Sequence, residues 1–127
     1  MWTSAKPTRL LLISALVLGL SAVVLAVETP DPEQVKQFKE TGSCKNCDLR
    51  DEVIGFVNAE GGDLTNSDLR GAFLYKSLLK DADLTGALLA FTDLRGANLR
   101  GAKGANLEGA ITSEFTTCPD GAAGPCK

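Results

Sequence analysis

Residues 92–110 read TDLRGANLRGAKGANLEGA, with leucine at Leu94 and Leu99, five apart, and then at Leu107. A spacing of five suits neither common element. On a helix, at about 100° per residue, each step of five turns the leucine through roughly 140°, so no face collects them. On a strand, whose side chains alternate, an odd step throws successive leucines to opposite sides.

The preceding sequence shows that the spacing is a rule. Cut into fives from Cys47, it reads CDLRD, EVIGF, VNAEG, GDLTN, SDLRG, AFLYK, SLLKD, ADLTG, ALLAF, TDLRG and ANLRG, eleven units in unbroken phase to Gly101. Nine centres are leucine (Leu49, Leu64, Leu69, Leu74, Leu79, Leu84, Leu89, Leu94, Leu99), with Ile54 and Ala59 as the exceptions. Most units have a small residue two places before the centre: Ser67, Ala72, Ser77, Ala82, Ala87, Thr92, Ala97. Asp or Asn often precedes the centre, and Gly or another turn-tolerant residue often ends the unit. The small residue and the centre, two apart, point to the same side of a short extended segment. The next pair returns to that side only if the chain turns between units, and Gly, Asp and Asn supply such turns. One turn per five residues, side chains inward, winds a square tube of four units per coil. Strand-like hydrogen bonds between coils set a rise of about 4.8 Å.

These units resemble the A(D/N)LxG repeats of the pentapeptide-repeat proteins, over residues 47–101 in phase and about 105–114 afterwards. The resemblance implies an all-β solenoid, a right-handed quadrilateral β-helix, here of about three coils with a short N-terminal capping helix. At 20 residues per coil the expected core ladder has four columns: Leu49/Leu69/Leu89, Ile54/Leu74/Leu94, Ala59/Leu79/Leu99 and Leu64/Leu84. The flanks TGSCKNCDLR and FTTCPDG are similar to those of exported bacterial members, cyanobacterial ones in particular. After Leu99 the phase breaks: the next centre should be residue 104, which is Gly104, and the sequence resumes around Leu107. Two residues are missing from one unit, or equivalently three are added, and the side shortened or looped out is expected at Ala102–Gly104.

A solenoid needs caps over its terminal rungs. DPEQVKQFKETG predicts a short helix with Asp31 as N-cap, Pro32 in the first position and Gly42 at the end. Val35 and Phe38 share a face of it and are expected to cover the Leu49 end, with Ile111 and Phe115 covering the other. The expected organisation is a signal peptide over 1–26, linker and capping helix over 27–46, the repeat over 47–114 and a C-terminal cap over 115–127.

The N-terminus carries Lys6 and Arg9, then 17 uncharged residues from Leu10 to Ala26 ending in Val24-Leu25-Ala26. That is the pattern of a cleaved secretory signal; uncleaved, it would be the chain's one link to a membrane. Its removal takes away Lys6 and Arg9 and no acid, leaving 11 basic and 16 acidic residues, a net charge of −5. Such a balance makes no electrostatic case for nucleic acid. Export places the chain in the periplasm or the thylakoid lumen. The four cysteines form two local pairs, Cys44/Cys47 and Cys118/Cys126, which in an exported chain read as disulfides. Zinc is the rival reading, against which stand the C-x7-C spacing and the absence of histidine. A CxxC redox site is another, although it would need a thioredoxin-like βαβ context.

Outside the tube, Asp48/Asp68 and Asp63/Asp83 stack acids on adjacent coils, either as a cation ladder or as acceptors for turn amides. Val53, Phe56, Phe73, Tyr75 and Leu78 fall at outward positions on neighbouring units, with Leu88 and Phe91 around the corner. A contiguous exposed apolar patch marks an interaction surface, unless the helix or the tail packs there. No histidine, phosphate-binding glycine loop or activated nucleophile proposes catalysis or a cofactor. The leading reading is a non-catalytic exported structural or interaction module, with partner and oligomeric state open. Two alternatives remain: a gyrase-interacting DNA mimic, implied by the family resemblance, and a thiol–disulfide oxidoreductase using Cys44 and Cys47.

Overall fold

The computed structural model of the chain describes residues 10–13 and 25–127. Of the expected signal segment, residues 1–9 and 14–24 lie outside the described residues. Strand β1 (Leu10–Ile13) pairs antiparallel with β2 (Leu25–Glu28), which contains the expected cleavage junction Ala26–Val27.

From Asp48 onward the chain coils. Asp48–Asp68, Val53–Phe73, Asn58–Leu78 and Asp63–Asp83 are parallel bridges between residues 20 apart. The next round repeats the offset with Asp68–Leu88, Phe73–Asp93, Leu78–Asn98 and Asp83–Lys103. Four bridges per round, five residues apart, give a four-sided coil. We number its sides by these columns, from the Asp48 column as the first to the Asp63 column as the fourth. Each side places one residue in a bridge before the chain turns, so the coil contains no longer strand.

The corners explain the period of five. Every fifth residue from 46 to 101 has positive φ, between 53° and 73°. The centre's carbonyl accepts the amide three residues on, as in Ala72 N to Leu69 O (3.0 Å) and Ala97 N to Leu94 O (3.0 Å). Positive φ in the third residue of such a turn defines type II, which favours glycine. Glycine fills some corners, but Asp51, Phe56, Asn66, Lys76, Asp81 and Phe91 fill others. Left-handed geometry costs a non-glycine residue roughly 1–2 kcal/mol, so the coil must impose it.

The coil does so by burial. Every centre from Leu49 to Leu99 is at most 2% exposed. The small residues two places earlier are buried as well, and their hydroxyls are satisfied: Ser67 donates to Leu64 O (2.7 Å) and Thr92 to Leu69 O (2.7 Å).

Helix α1 (Pro32–Thr41) closes the front. Asp31 caps it by accepting the Glu33 amide (3.0 Å), Gly42 ends it at φ 71°, and Val35 and Phe38 are buried. The cap also supplies polar partners for the open edge of the first coil. Gln34 Oε1 accepts the Asp48 amide (2.8 Å) and Ser43 Oγ accepts the Asp63 amide (3.0 Å). A Cβ on Gly42 would collide with the backbone of Asn58 and Ala59, so glycine lets the cap sit against Ala59, where the ladder lacks leucine.

The far end departs from expectation in three respects. Lys103 is still in register with Asp83, so the two residues are lost after it; the offset has fallen to 18 at the Asp93–Ile111 bridge. Leu88 therefore has no bridge to a following coil. One residue is regained before Thr117, which bridges Asn98, so the ladder continues beyond residue 114. Ile111 and Phe115 do not cover the last rung: they are 46% and 76% exposed. Thr116 takes the inward place, 1% exposed, accepting the Ser113 and Gly96 amides and donating to Leu94 O (3.0 Å). The tail then folds back, with Cys118 N bonded to Ala122 O and Gly124 N to Thr116 O.

Leu84, fully buried with coils on both sides, tests the ladder. Leu84→Ala is expected to destabilise by about 2–5 kcal/mol, lowering the denaturant midpoint. An unchanged midpoint would contradict its inward placement.

Candidate interaction surface

The outer surface is sorted by side. Among residues 28–127 the exposed large hydrophobes are Val53, Phe56, Phe73, Leu78, Leu88, Phe91, Ile111 and Phe115. Val53, Phe73 and Ile111 share the second side's bridge column, while Leu88 stands in the first and Leu78 in the third. Phe91 occupies the corner between the first and second sides, in the column of Asp51 and Gly71. Phe56 and Phe115 stand at the next corner, between the second and third sides, in the column of Lys76 and Gly96. The fourth side, whose column is Asp63, Asp83 and Lys103, has none of the eight.

The Phe56 corner has specific packing. Its ring meets that of half-buried Tyr75 edge to face, centroids 5.0 Å apart, a favourable aromatic geometry. Tyr75 lies over Gly55, where a Cβ would stand 2.6 Å from the ring, so the glycine makes room for it. Lys76 Nζ is 5.9 Å from the Phe56 centroid, within cation–π range. One coil beyond Lys76 the corner column reaches Gly96, and the missing side chain leaves a groove of about 420 Å3 bounded by Tyr75, Lys76, Arg95, Ser113 and Phe115.

Sequence reasoning placed Val53, Phe56, Phe73, Tyr75 and Leu78 in one patch, and the fold brings them to adjacent sides and their shared corner. It missed Phe115, expected as a cap, and Ile111. Both reach the patch because of the lost and regained residues between Lys103 and Thr117, which the period of five does not encode.

The stacked acids serve the turns. Asp48, Asp63, Asp68, Asp83 and Asp93 each accept the amide two residues on, at 3.0–3.2 Å. Arg50, Arg70 and Arg95 fold back onto Asp48, Asp68 and Asp93 through two side-chain bonds each. Asp63 also accepts the Thr65 hydroxyl (2.6 Å). These bonds occupy the carboxylates that a cation ladder would use. The Arg70 guanidinium, foremost, holds Asp68 below the ordinary aspartate range, as Arg95 does Asp93. Bonds from Thr65 and Thr85 lower Asp63 and Asp83 likewise.

The cysteines pair as Cys44–Cys47 and Cys118–Cys126, each with Cα atoms 5.5 Å apart. Cys44 is fully buried and Cys47 is 7% exposed, shut away from an incoming thiol. Among the described residues no helix is long and apolar enough to cross a membrane.

Lowered aspartate pKa values give stability a definite sign in acid. The contribution is complete above the unfolded value of about 3.9 and is lost as pH falls below it toward the folded values. The melting temperature is expected to drop between about pH 5 and pH 2, less steeply in Asp68→Asn with Asp93→Asn. An equal slope in that variant would contradict the contribution of these two pairs.

The family model for pentapeptide repeats matches the chain in eight copies, over residues 55–86, 63–101 and 77–111. None of the curated proteins is a significant sequence match. Among solved structures, the chain is similar to the pentapeptide repeat protein Rfr23 from the cyanobacterium Cyanothece 51142. They are 33% identical with a TM-score of 0.55, over 58% of this chain and 52% of that one. QnrB1, a plasmid-mediated fluoroquinolone resistance protein, is similar in fold at a TM-score of 0.51 and 9% identity, over 58% of this chain and 35% of its own. HetL, from the cyanobacterium Nostoc sp. strain PCC 7120, is 31% identical with a TM-score of 0.40, over 66% and 40% of the two chains. The chain thus spans about half the length of these structures or less. With the matched residues 55–111 lying on a four-sided coil of 20 residues per turn, this stretch of the chain is a run of pentapeptide repeats.

Proposed function

We propose that this chain is a non-catalytic, exported interaction module, and that the apolar part of the coil is its working surface. One observation carries the reading: the eight exposed large hydrophobes cluster on three neighbouring sides and leave the fourth polar. The outer sides of a short tube are equivalent in backbone, so the sorting belongs to the side chains, and an apolar cluster of this kind fits a binding surface. We take the coil to wind in the right-handed sense of such repeats, with residues 27–46 as its front cap.

Many of the side chains of the coil that could do chemistry are committed elsewhere. Carboxylates of the turns accept backbone amides, inward hydroxyls donate to carbonyls, and the cysteines are bonded to each other. The burial of Cys44 weighs against a thiol–disulfide oxidoreductase. The DNA-mimic alternative asks for an outer acidic surface, whereas Arg50, Arg70 and Arg95 neutralise Asp48, Asp68 and Asp93. Export rests on the N-terminal pattern Lys6, Arg9 and Leu10–Ala26, with the periplasm or the thylakoid lumen as destination.

Phe73→Ser with Tyr75→Ser tests the surface, because neither side chain belongs to the inward ladder. Chemical crosslinking in the native compartment is expected to capture a partner with the unaltered protein and to lose it with the variant, while the melting temperature changes little. Equal capture by both would contradict this surface. For export, the native protein alkylated without reduction is expected to have a mass starting at Val27 and no alkylated thiol. A full-length mass with four alkylated cysteines would contradict it.

A further inference from the structure

The apolar second side is flanked by two corners of opposite shape. At one stands Phe91, 73% exposed at φ 62°, a conformation unfavourable for an aromatic residue. Gly71 holds the corner one coil earlier and meets that backbone demand without a side chain. Phe56, the other aromatic residue at a left-handed corner, is engaged by Tyr75 and Lys76. Phe91 points outward into solvent. At the next corner of the same coil, five residues on and across the second side, Gly96 leaves the groove between Tyr75 and Phe115. A projecting ring and an aromatic-walled recess therefore stand at one level on the two edges of one apolar side.

We propose that this side pairs with the same side of a second copy of the chain, about a two-fold axis parallel to the tube, with Phe91 of each copy entering the groove over Gly96 of the other. The inference rests on the reading of the apolar side as an interaction surface, and names its occupant. The symmetry follows from the geometry. A two-fold axis lying in the contact plane and parallel to the tube exchanges the left and right edges of the facing side and leaves height unchanged. Residue 91 of one copy then faces residue 96 of the other, twice, as an isologous interface requires. An axis across the tube would set Phe91 on the same edge as its own mate, with no recess opposite.

The ring spacing agrees. Phe56 and Tyr75 lie 5.0 Å apart, close to one rung of about 4.8 Å. Tyr75 and Phe115 stand two coils apart, roughly 10 Å on that spacing, which admits one further ring between them. Charge agrees as well. Phe91 shares its corner column with Asp51, and Gly96 shares its column with Lys76. Exchanging the edges sets Asp51 of one copy about one rung, ~4.8 Å, from the level of Lys76 of the other. Val53, Phe73 and Ile111 lie between the two edges and would be covered. One side of a tube this short offers contact at the low end of specific interfaces, below about 1,200 Å2 in total. The dimer should accordingly be reversible, with a dissociation constant on the order of micromolar.

Sedimentation equilibrium of the protein as produced is the test, with Phe91→Asn, Gly96→Asn and, on the fourth side, Lys103→Ala. Asparagine already occupies the left-handed corners at Asn46 and Asn66, so both corner variants suit the fold. Melting temperatures verify this. The unaltered protein and Lys103→Ala are expected to pass from monomer to dimer with rising concentration, and each corner variant to shift the dissociation constant at least tenfold weaker. A strict monomer up to roughly 500 μM would overturn the proposal, as would a dimer that both corner variants leave intact. A monomer that still captures a different protein, losing it in Phe73→Ser with Tyr75→Ser, would overturn the self-pairing and leave the interaction surface standing.

Discussion

The fold depends on one local constraint, a left-handed residue at every fifth position. Each such residue closes a turn in which the preceding centre's carbonyl accepts the amide of the next unit's first residue. The turn sends both the centre and that small residue inward, and it rotates the chain by one side of the square. Four turns return the backbone over itself, where the next coil accepts its amides. Leu69 N reaches Leu88 O at 2.9 Å and Asp68 N reaches Cys47 O at 2.8 Å, one bond toward each neighbouring coil. Leucine burial and the ladder then hold Asp51, Phe56, Lys76, Asp81 and Phe91 in a conformation they would otherwise avoid.

The same constraint leaves the outside free to vary. With the turn closed and the centre buried, the position before the centre needs a side chain that accepts an amide or one that tolerates exposure. Asp or Asn meets the first need on most units. On the second side, Val53, Phe73 and Ile111 meet the second, so the coil becomes amphipathic around its circumference without any change in backbone. That separation of roles lets a fold with little chemistry of its own present a defined surface.

The repeat was readable because inward and outward positions obey different rules at fixed spacing. The nine leucines from Leu49 to Leu99 gave the columns, and Asp31, Pro32 and Gly42 gave the helix limits, since capping is local chemistry. The ends were less readable for a physical reason. Once phase is lost after Lys103, the register of each residue depends on which neighbouring amides remain to be satisfied, a non-local matter. Thr116 entered the core through hydrogen bonds to Gly96, Ser113 and Leu94 that no periodicity announces. Phe115, apolar and expected to cap, was left outside. The outward patch was visible as a list of positions, but the facing of Phe91 and the Gly96 groove required the coil.

The coil itself is tested most directly by nuclear magnetic resonance contacts between backbone protons of the native protein. Contacts at a separation of 20 residues are expected for Val53–Phe73, Asp63–Asp83 and Leu78–Asn98, falling to 18 at Asp93–Ile111. Contacts confined to residues three or four apart, or an antiparallel pattern through 48–103, would contradict it.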